Sequence, residues 1–316
     1  MNRGRLRPGR RGWARLVVCV LLLAALPQLG GCRDEPAGPV PIRIATGSAT
    51  AVYHAFGESL AGILNRELPG VRASVVVTAA SEENVRMVGS GQAELGFTQA
   101  DALTTESAGR VRAVARVYDD LLHLVTLAGS PVRTLADLTG RRVSVGAPGS
   151  GTAITATRLL DVAQLDGRVR QQHLGLDDSV AALRAGRVDA FFFSGGLPVR
   201  AVRELTATTA TRVVDLGEWT EPLRRAHGEV YVTRDIPRSA YRTEPVSTVA
   251  NPNYLIVRTN LPDPLVREIT RLLMERRTEL ARAHPAAGRI SPRSAIATDP
   301  VPLHPGATDW YRRAKP

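Results

Sequence analysis

The sequence predicts an α/β fold built as two similar lobes. Short apolar strands alternate with helical patterns from Ile42 onward, which is typical of parallel sheets covered by helices. One segment also occurs twice, since Gly91-x-Ala-Glu-Leu-Gly-Phe97 aligns with Gly186-x-Val-Asp-Ala-Phe-Phe192. Two matching copies predict two such lobes. In open α/β sheets, ligands bind beyond the carboxyl ends of the strands.

Residues 1–31 have the pattern of a bacterial export signal. Six arginines and no acid accompany an apolar run of 11 residues from Leu16 to Leu26, much shorter than the roughly 20 residues that span a bilayer. The following Leu29-Gly30-Gly31-Cys32 resembles the lipobox of bacterial lipoproteins. We therefore expect cleavage before Cys32 and lipid attachment to it, with ordinary cleavage as the alternative. Residues 32–41, rich in Pro, Gly and charge, are predicted to be a flexible tether.

Composition argues against several other classes of protein. Removing the signal lowers the net charge from +11 to +5, because six arginines and no acid leave with it, and aromatic residues make up only 4% of the chain. Nucleic-acid binding is therefore not expected. Because Cys19 lies in the signal, the mature chain cannot form an internal disulfide, and the six histidines show no metal-ligand spacing.

The first lobe is expected to begin with a strand, a small-residue turn and a helix. The predicted strands are residues 42–46, 75–78, 92–101 and 121–127. The predicted helices are residues 52–64 and a second one that Ser81 could cap.

The second lobe is predicted to repeat this pattern. Its expected helices are residues 134–140, one beginning near Ala153, one before Gly186, and residues 198–206 and 218–227; its expected strands are residues 142–145 and 189–193. Residues 254–259 are expected to form a strand that pairs with residues 121–127 and returns the chain to the first lobe. A helix around residues 265–273 and an irregular tail at residues 301–307 complete the prediction.

The turn after residues 142–145 has the composition of a ligand cradle. Gly146, Gly149 and Gly151 permit backbone conformations that a Cβ would forbid. If Ser150 or Thr152 caps the following helix, the free N–H groups of its first turn can bind an anion or a carbonyl. A phosphate-binding loop is excluded, because Thr152 and Ala153 stand where Lys and Ser or Thr are needed. The alternative is a tight strand-to-helix connection without a ligand.

An enzyme is not expected. The sequence has no G-x-S-x-G elbow, and Ser150, the candidate serine in a glycine turn, has no histidine that the sequence places to activate it. We expect no cofactor and no metal.

Five segments together resemble a known family. They are Ile44-Ala-Thr-Gly-Ser-Ala-Thr50 with Val52-Tyr53, Gly96-Phe-Thr-Gln-Ala-Asp101, Ser144-Val-Gly-Ala-Pro-Gly-Ser-Gly-Thr152, Asp189-Ala-Phe-Phe-Phe193 and His304-Pro-Gly306. Their order and spacing resemble the TAXI-type solute-binding subunits of TRAP transporters. The resemblance implies a two-lobed type II periplasmic-binding-protein fold. Each lobe would be a mixed sheet flanked by helices, with a hinge between the lobes.

The resemblance also implies the lobe boundaries and the ligand-binding residues. Lobe I would comprise residues 42–127 and 251–316, and lobe II residues 128–250. The implied ligand-binding residues are Ser48, Tyr53, Gln99, Asp101, Ser150, Gly151, Thr152, Gly195 and Pro198. Core packing remains an alternative role for Tyr53. Helix capping remains an alternative for four of the others, which are Ser48, Gln99, Asp101 and Thr152. Ala51 and His54 depart from the Gly and Tyr that the family often has.

The implied function is capture of a small organic anion, such as glutamate, glutamine or 2-oxoglutarate. The implied partner is a sodium-coupled TRAP permease with fused small and large subunits. The binding protein itself is expected to be a monomer, anchored to the outer face of the cytoplasmic membrane through lipid on Cys32. The alternative is a lipoprotein that senses the ligand and signals to a membrane sensor kinase.

Overall fold

The computed structural model describes residue 1 and residues 38–314. A compact unit begins at Pro39. The predicted export signal, Cys32 and most of the predicted tether lie outside the described residues. Of the helices that are described, none combines the length and apolar character needed to cross a membrane.

The described residues form one sheet of ten strands. In chain order these are β1 Val40–Ala45, β2 Val71–Val76, β3 Leu95–Gln99, β4 Val111–Leu127, β5 Arg142–Ser144, β6 Arg170–Gln172, β7 Ala190–Gly195, β8 Thr211–Val213, β9 Val232–Ile236 and β10 Val246–Arg258. The spatial order is β2-β1-β3-β10-β4-β7-β5-β6, with β8 beside β4 and β9 beside β10. β1 is parallel to β2 and β3, and β5 is parallel to β6 and β7, whereas β4 and β10 run antiparallel to their neighbours.

Helices cover this sheet. They are α1 Val52–Glu67, α2 Ser81–Gly89, α3 Thr105–Arg110, α4 Gly151–Val162, α5 Leu176–Arg184, α6 Arg200–Thr208, α7 Thr220–His227, α8 Arg238–Tyr241, α9 Asp263–Glu275, α10 Arg277–Ala283, α11 Pro292–Ala295 and α12 Pro305–Arg313. Short 3₁₀ helices occupy Ala100–Ala102, Leu135–Leu138, Gly217–Trp219 and Pro285–Arg289.

Four hydrophobic clusters show where the two lobes meet. Two clusters take their buried residues from positions up to Tyr118 and from Tyr254 onward, and the other two take theirs from positions between Leu121 and Ala250. β4 and β10 are long enough to contribute to both pairs of clusters. The cores therefore change over within these two strands, which connect the lobes side by side.

The repeated segment has the same structure in both lobes. Glu94 precedes β3 and accepts hydrogen bonds from the backbone N–H, Nε and Nη2 of Arg43 on β1, at 2.8, 3.0 and 2.8 Å. Asp189 precedes β7 and accepts the same three bonds from Arg142 on β5, at 2.8, 3.2 and 2.7 Å. The internal alignment thus identifies two equivalent strand pairs.

The prediction was wrong for the pairing of the return strand. Residues 254–258 pair with residues 111–116 of β4, and residues 121–126 pair with β7 instead. The reason is that β4 begins at Val111, ten residues earlier than predicted, because the polar side chains of Arg112, Arg116 and Asp119 interrupt its apolar pattern.

Two smaller predictions were also wrong. The tail is helical from Pro305 rather than irregular, because His304 Nδ1 accepts a 3.1 Å bond from Gly306 N–H and Pro305 occupies the first turn. Ser81 is the first residue of α2 rather than its cap, and its hydroxyl accepts a 3.1 Å bond from the backbone N–H of Gln99.

Candidate functional site

A cavity of about 110 Å³ lies between the two lobes. Tyr118 and Asp120 of β4 line it in the middle. The rest of its wall comes from the turns that follow β1, β2, β5 and β6, from the starts of the helices beyond those turns, and from the carboxyl ends of β3 and β7. Because these strands end at the cavity, the site lies at their carboxyl ends, where an open α/β sheet binds ligands.

Four helices begin at this cavity. α1 and α2 come from lobe I and start at Val52 and Ser81, and α4 and α5 come from lobe II and start at Gly151 and Leu176. Each helix N-terminus carries N–H groups without an intrahelical partner and the positive end of the helix dipole. The arrangement therefore favours an anion in the cavity.

Most of these helix starts lack a side-chain cap. Ala51, Ala80 and Gly175 occupy the capping positions of α1, α2 and α5, and none makes a side-chain capping bond. α4 differs, because Ser150 Oγ accepts a 3.1 Å bond from Ala153 N–H and donates a 2.7 Å bond to the carbonyl of Ala147. The first-turn N–H groups of three helices are therefore not used by a capping side chain.

The structure brings seven of the nine sequence-predicted site residues to the cavity wall. They are Ser48, Tyr53, Gln99, Ser150, Gly151, Thr152 and Gly195. Asp101 and Pro198 do not line it. Pro198 precedes α6, and its carbonyl lies 3.3 Å from His284 Nε2. Lining a cavity does not establish ligand contact, so the roles of the seven residues stay predictions.

Gln99 connects the lobes across the cavity. Its Nε2 donates to Ser194 Oγ at the end of β7, and also to Asp120 Oδ2 at 2.9 Å. Thr152 makes a further link within lobe II, since its Oγ1 accepts a 3.0 Å bond from Ser194 N–H. Tyr53 is buried and donates its hydroxyl to Asn253 Oδ1 on β10.

Asp101 joins the two lobes beside the cavity rather than capping a helix. Its Oδ2 accepts bonds from Thr155 Oγ1 of α4 at 2.7 Å and from Tyr231 Oη at 3.0 Å. Arg158 Nη1 lies 3.9 Å from the same oxygen. Burial raises the pKa of Asp101, and the bonds from Thr155 and Tyr231 and the charge of Arg158 oppose that rise.

Sequence reasoning missed Asp120. This residue lines the cavity from the middle of β4 and is only 4% exposed. Burial raises its pKa to about 7, against the bond from Gln99. The available signal was an acid directly next to the apolar run from Leu121 to Leu127. The prediction began the strand at Leu121 and so left Asp120 outside it, whereas β4 includes Asp120.

The cavity wall has an unusual balance of charge. Among the described residues that line it, Asp120 is the only charged one. An anionic ligand group would therefore be held by N–H groups and hydroxyls rather than by an arginine or lysine. Apolar contact comes from Val52, Leu174, Leu176, Phe192 and Phe193.

Solved structures with the same fold include a putative L-cystine ABC transporter protein from Listeria monocytogenes. It is 14% identical, with a TM-score of 0.54, and the match covers 79% of this chain and 97% of that one. An ancestral arginine-binding protein bound to glutamine is 15% identical over 77% of this chain and 96% of that one, with a TM-score of 0.52. The probable amino-acid ABC transporter extracellular-binding protein of Bacillus subtilis is 14% identical over 78% and 96%, with a TM-score of 0.50.

These likenesses confirm the predicted two-lobed α/β fold of type II periplasmic binding proteins. At such identities they establish the fold and not the ligand. A model of the NMT1-like family matches residues 44–314, most of the chain. The chain belongs to the NMT1-like family.

Proposed function

We propose that this protein is the extracytoplasmic solute-binding subunit of a TRAP-type transporter, which captures a small carboxylate and delivers it to a sodium-coupled permease. The observation that carries the proposal is the meeting of four helix N-termini, two from each lobe, at one cavity. Three of them have no side-chain cap. The TRAP assignment itself rests on the resemblance of the sequence motifs.

A carboxylate held this way would favour the closed arrangement of the lobes. Each hydrogen bond to a charged oxygen contributes about 1.5–3 kcal/mol. A ligand that contacts α1 and α2 on one side and α4 and α5 on the other makes all of these bonds only when the lobes are together. Its differential affinity for that state shifts the population toward closure.

The size of the cavity favours a compact solute. An apolar cavity of about 150 Å³ holds benzene, and this one is about 110 Å³. Of the similarly folded proteins, the ancestral arginine-binding protein holds glutamine and the Bacillus subtilis protein belongs to a probable amino-acid transporter, which supports a ligand of amino-acid size. Glutamate, glutamine and 2-oxoglutarate remain the candidates that the sequence motifs imply.

The first test is ligand binding by residues 33–316, which include the compact unit. Thermal shift and calorimetry are measured with amino acids, 2-oxo acids and dicarboxylates. We expect at least one carboxylate to raise the melting temperature, and the rise should continue with the logarithm of its concentration above its dissociation constant. Thr152→Ala should weaken binding of that ligand. Thr139→Ala should leave binding unchanged, because Thr139 is exposed and its hydroxyl bonds only within its own turn. Failure of every small carboxylate to bind would overturn the proposal.

The second test asks which permease receives the ligand. Membrane vesicles from the producing cell are supplied with the binding protein and labelled ligand. A TRAP partner predicts uptake that collapses with the sodium gradient and survives without ATP. Uptake that requires ATP instead would assign the protein to an ABC transporter. Binding without any uptake would favour the sensor alternative.

Lipid attachment is tested separately, because Cys32 lies outside the described residues. We expect the full chain to incorporate labelled fatty acid and to sediment with membranes. Cys32→Ser should abolish both. Release of the native protein into the soluble extracytoplasmic fraction would contradict the anchor and leave the ligand-binding proposal intact.

A further inference from the structure

Asp120 is the feature of the cavity that binding of a simple anion does not explain. Its side chain is almost fully buried at the wall of a cavity that four helix N-termini make favourable for negative charge. One carboxylate oxygen, Oδ2, accepts a 2.9 Å bond from Gln99. The other, Oδ1, has no hydrogen-bond partner among the described residues.

A second polar group near Asp120 has the same property. Tyr118 also lines the cavity, is 3% exposed, and its hydroxyl has no hydrogen-bond partner in the described part of the chain. Buried polar atoms are nearly always paired, because leaving one unpaired costs about 1–3 kcal/mol. Tyr118 Oη and Asp120 Oδ1 lie two residues apart on β4, and both can accept a hydrogen bond from a donor that comes with the ligand.

We propose that the cavity binds its ligand as an α-amino acid zwitterion, with the carboxylate at the helix N-termini and the ammonium group donating to Asp120. This inference deepens the proposed function and rests on it. An ammonium group has three N–H donors, which suits Asp120 Oδ1 and the Tyr118 hydroxyl together.

The alternative ligand class fits less well. A 2-oxo acid carries a carbonyl oxygen where the amino acid carries its ammonium group, so it would present an acceptor to the carboxylate of Asp120. Protonated Asp120 could donate to that carbonyl, but ionised Asp120 could not. Discrimination between the two classes should therefore depend on the protonation of one residue.

The groups around Asp120 define the pH range of this effect. Burial raises its pKa, hydrogen bonding from Gln99 and the nearby Asn253 amide lowers it, and the charges of Asp119 and Asp101 raise it; together they place the pKa at about 7. The hydroxyls of Tyr53 and Tyr118 are buried beside it, and burial raises their own pKa values well above the ordinary tyrosine value, so they stay neutral. Binding of an ammonium group should ionise Asp120 and release a proton at pH values up to its pKa of about 7.

The experiment compares each amino acid with the 2-oxo acid of the same skeleton, beginning with L-glutamate and 2-oxoglutarate. Calorimetry at pH 8 should give a tighter dissociation constant for the amino acid by about 10- to 100-fold, the range expected for one charge-assisted bond. At pH 5.5 the two dissociation constants should lie closer together, because Asp120 is then protonated when the ligand arrives. Titrations at pH 6.5 in buffers of different ionisation enthalpy should reveal proton release with the amino acid.

Asp120→Asn is the matched variant, since the amide keeps the size and an acceptor for Gln99 and loses the charge. We expect this variant to bind the amino acid about 10- to 100-fold more weakly and to release no proton on binding. Its folding is checked by its melting temperature without ligand, which should equal or exceed that of the native chain. Asp166→Asn, at an exposed turn, is the control.

The outcomes separate this inference from the proposed function. If 2-oxo acids bind as tightly as amino acids, or if native protein releases no proton, the zwitterion assignment is overturned while carboxylate capture stands. If neither class binds, both proposals fail.

Discussion

The carboxylate of Asp189 accepts hydrogen bonds from both the backbone N–H and the guanidinium group of Arg142. Glu94 accepts the same bonds from Arg43 in the other lobe. The bond from Arg142 lowers the pKa of Asp189. Because this carboxyl ionises more readily in the folded state, its stabilising effect is present above its ordinary pKa and is lost as the pH falls through the lowered value.

Asp189→Asn should therefore lower the melting temperature at pH 7 by several degrees. Loss of charged hydrogen bonds costs about 1–3 kcal/mol, discounted here because both side chains are partly exposed. Thermal unfolding of the variant is compared with that of Glu218→Gln, an exposed acid, which should leave it unchanged. An unaltered melting temperature for both variants would show that the Asp189–Arg142 pair does not stabilise the fold.

Thr155 is expected to control the closed state through Asp101. Thr155→Val keeps the shape of the side chain and removes the donor of the 2.7 Å bond to the buried carboxylate. Since that bond joins α4 of one lobe to the turn after β3 of the other, we expect ligand affinity to fall about tenfold.

Small-angle scattering should also show the Thr155→Val variant more extended without ligand than the native chain. Thr206→Val, whose hydroxyl bonds only within α6, is the control and should behave like the native protein. Equal affinity and equal dimensions for all three proteins would contradict the role of Asp101 as a link between the lobes.

Gly151 is expected to be required for closure for a steric reason. A Cβ at this position would clash with Gln99 Oε1 and would lie 2.8 Å from Ser81 Oγ, and both of these belong to the opposite lobe. Gly151→Ala should therefore hold the lobes apart and weaken ligand binding at least tenfold.

The same Gly151→Ala variant should unfold at nearly the native temperature without ligand. Gly62→Ala, in α1 with open space around the added methyl group, is the matched control and should bind normally. Native affinity in Gly151→Ala would show that Gln99 can move aside.

His123 should make the protein less stable in mild acid. It is buried between two partners: Nδ1 lies 3.1 Å from the carbonyl of Phe193, and Nε2 lies 2.8 Å from the hydroxyl of Tyr241. Tyr241 in turn accepts a 2.9 Å bond from Val199 N–H. Neutral imidazole satisfies this chain, with Nδ1 donating and Nε2 accepting. Protonation would leave Nε2 with a second proton facing the tyrosine.

Burial lowers the pKa of His123 to about 4. The unfolded chain, with an ordinary histidine pKa of about 6.5, binds a proton more readily, so stability falls as the pH drops from about 6.5 to about 4. The loss from this residue approaches about 3 kcal/mol, at about 1.4 kcal/mol for each pH unit of difference. Urea unfolding across this range is compared between the native chain, His123→Gln and the exposed-site control His173→Gln. His123→Gln alone should flatten the profile.

The sequence predicted the fold better than it predicted the site. Gln99, Ser150 and Thr152, which the sequence motifs name, all line the cavity. Gln99 ends β3 and the other two lie in and just beyond the turn after β5, so the change from apolar strand to polar turn is visible in adjacent residues. Asp120 and Ser194 meet at Gln99 only because β4 lies between β10 and β7 in the sheet, a fact of strand order that no local pattern contains. Asp101 was predicted to bind the ligand but lies beside the cavity, and its partners Thr155 and Tyr231 lie 54 and 130 positions away in the sequence.

The side-by-side course of β4 and β10 also constrains how the chain can fold. β3 finds its antiparallel neighbour only when β10 has been made, since Gln99 pairs with Asn253. Contacts so distant in sequence close large loops and form slowly. The first lobe therefore stays incomplete until the last quarter of the polypeptide has been made. An incompletely folded chain of this kind would suit the export that the pattern of residues 1–31 predicts.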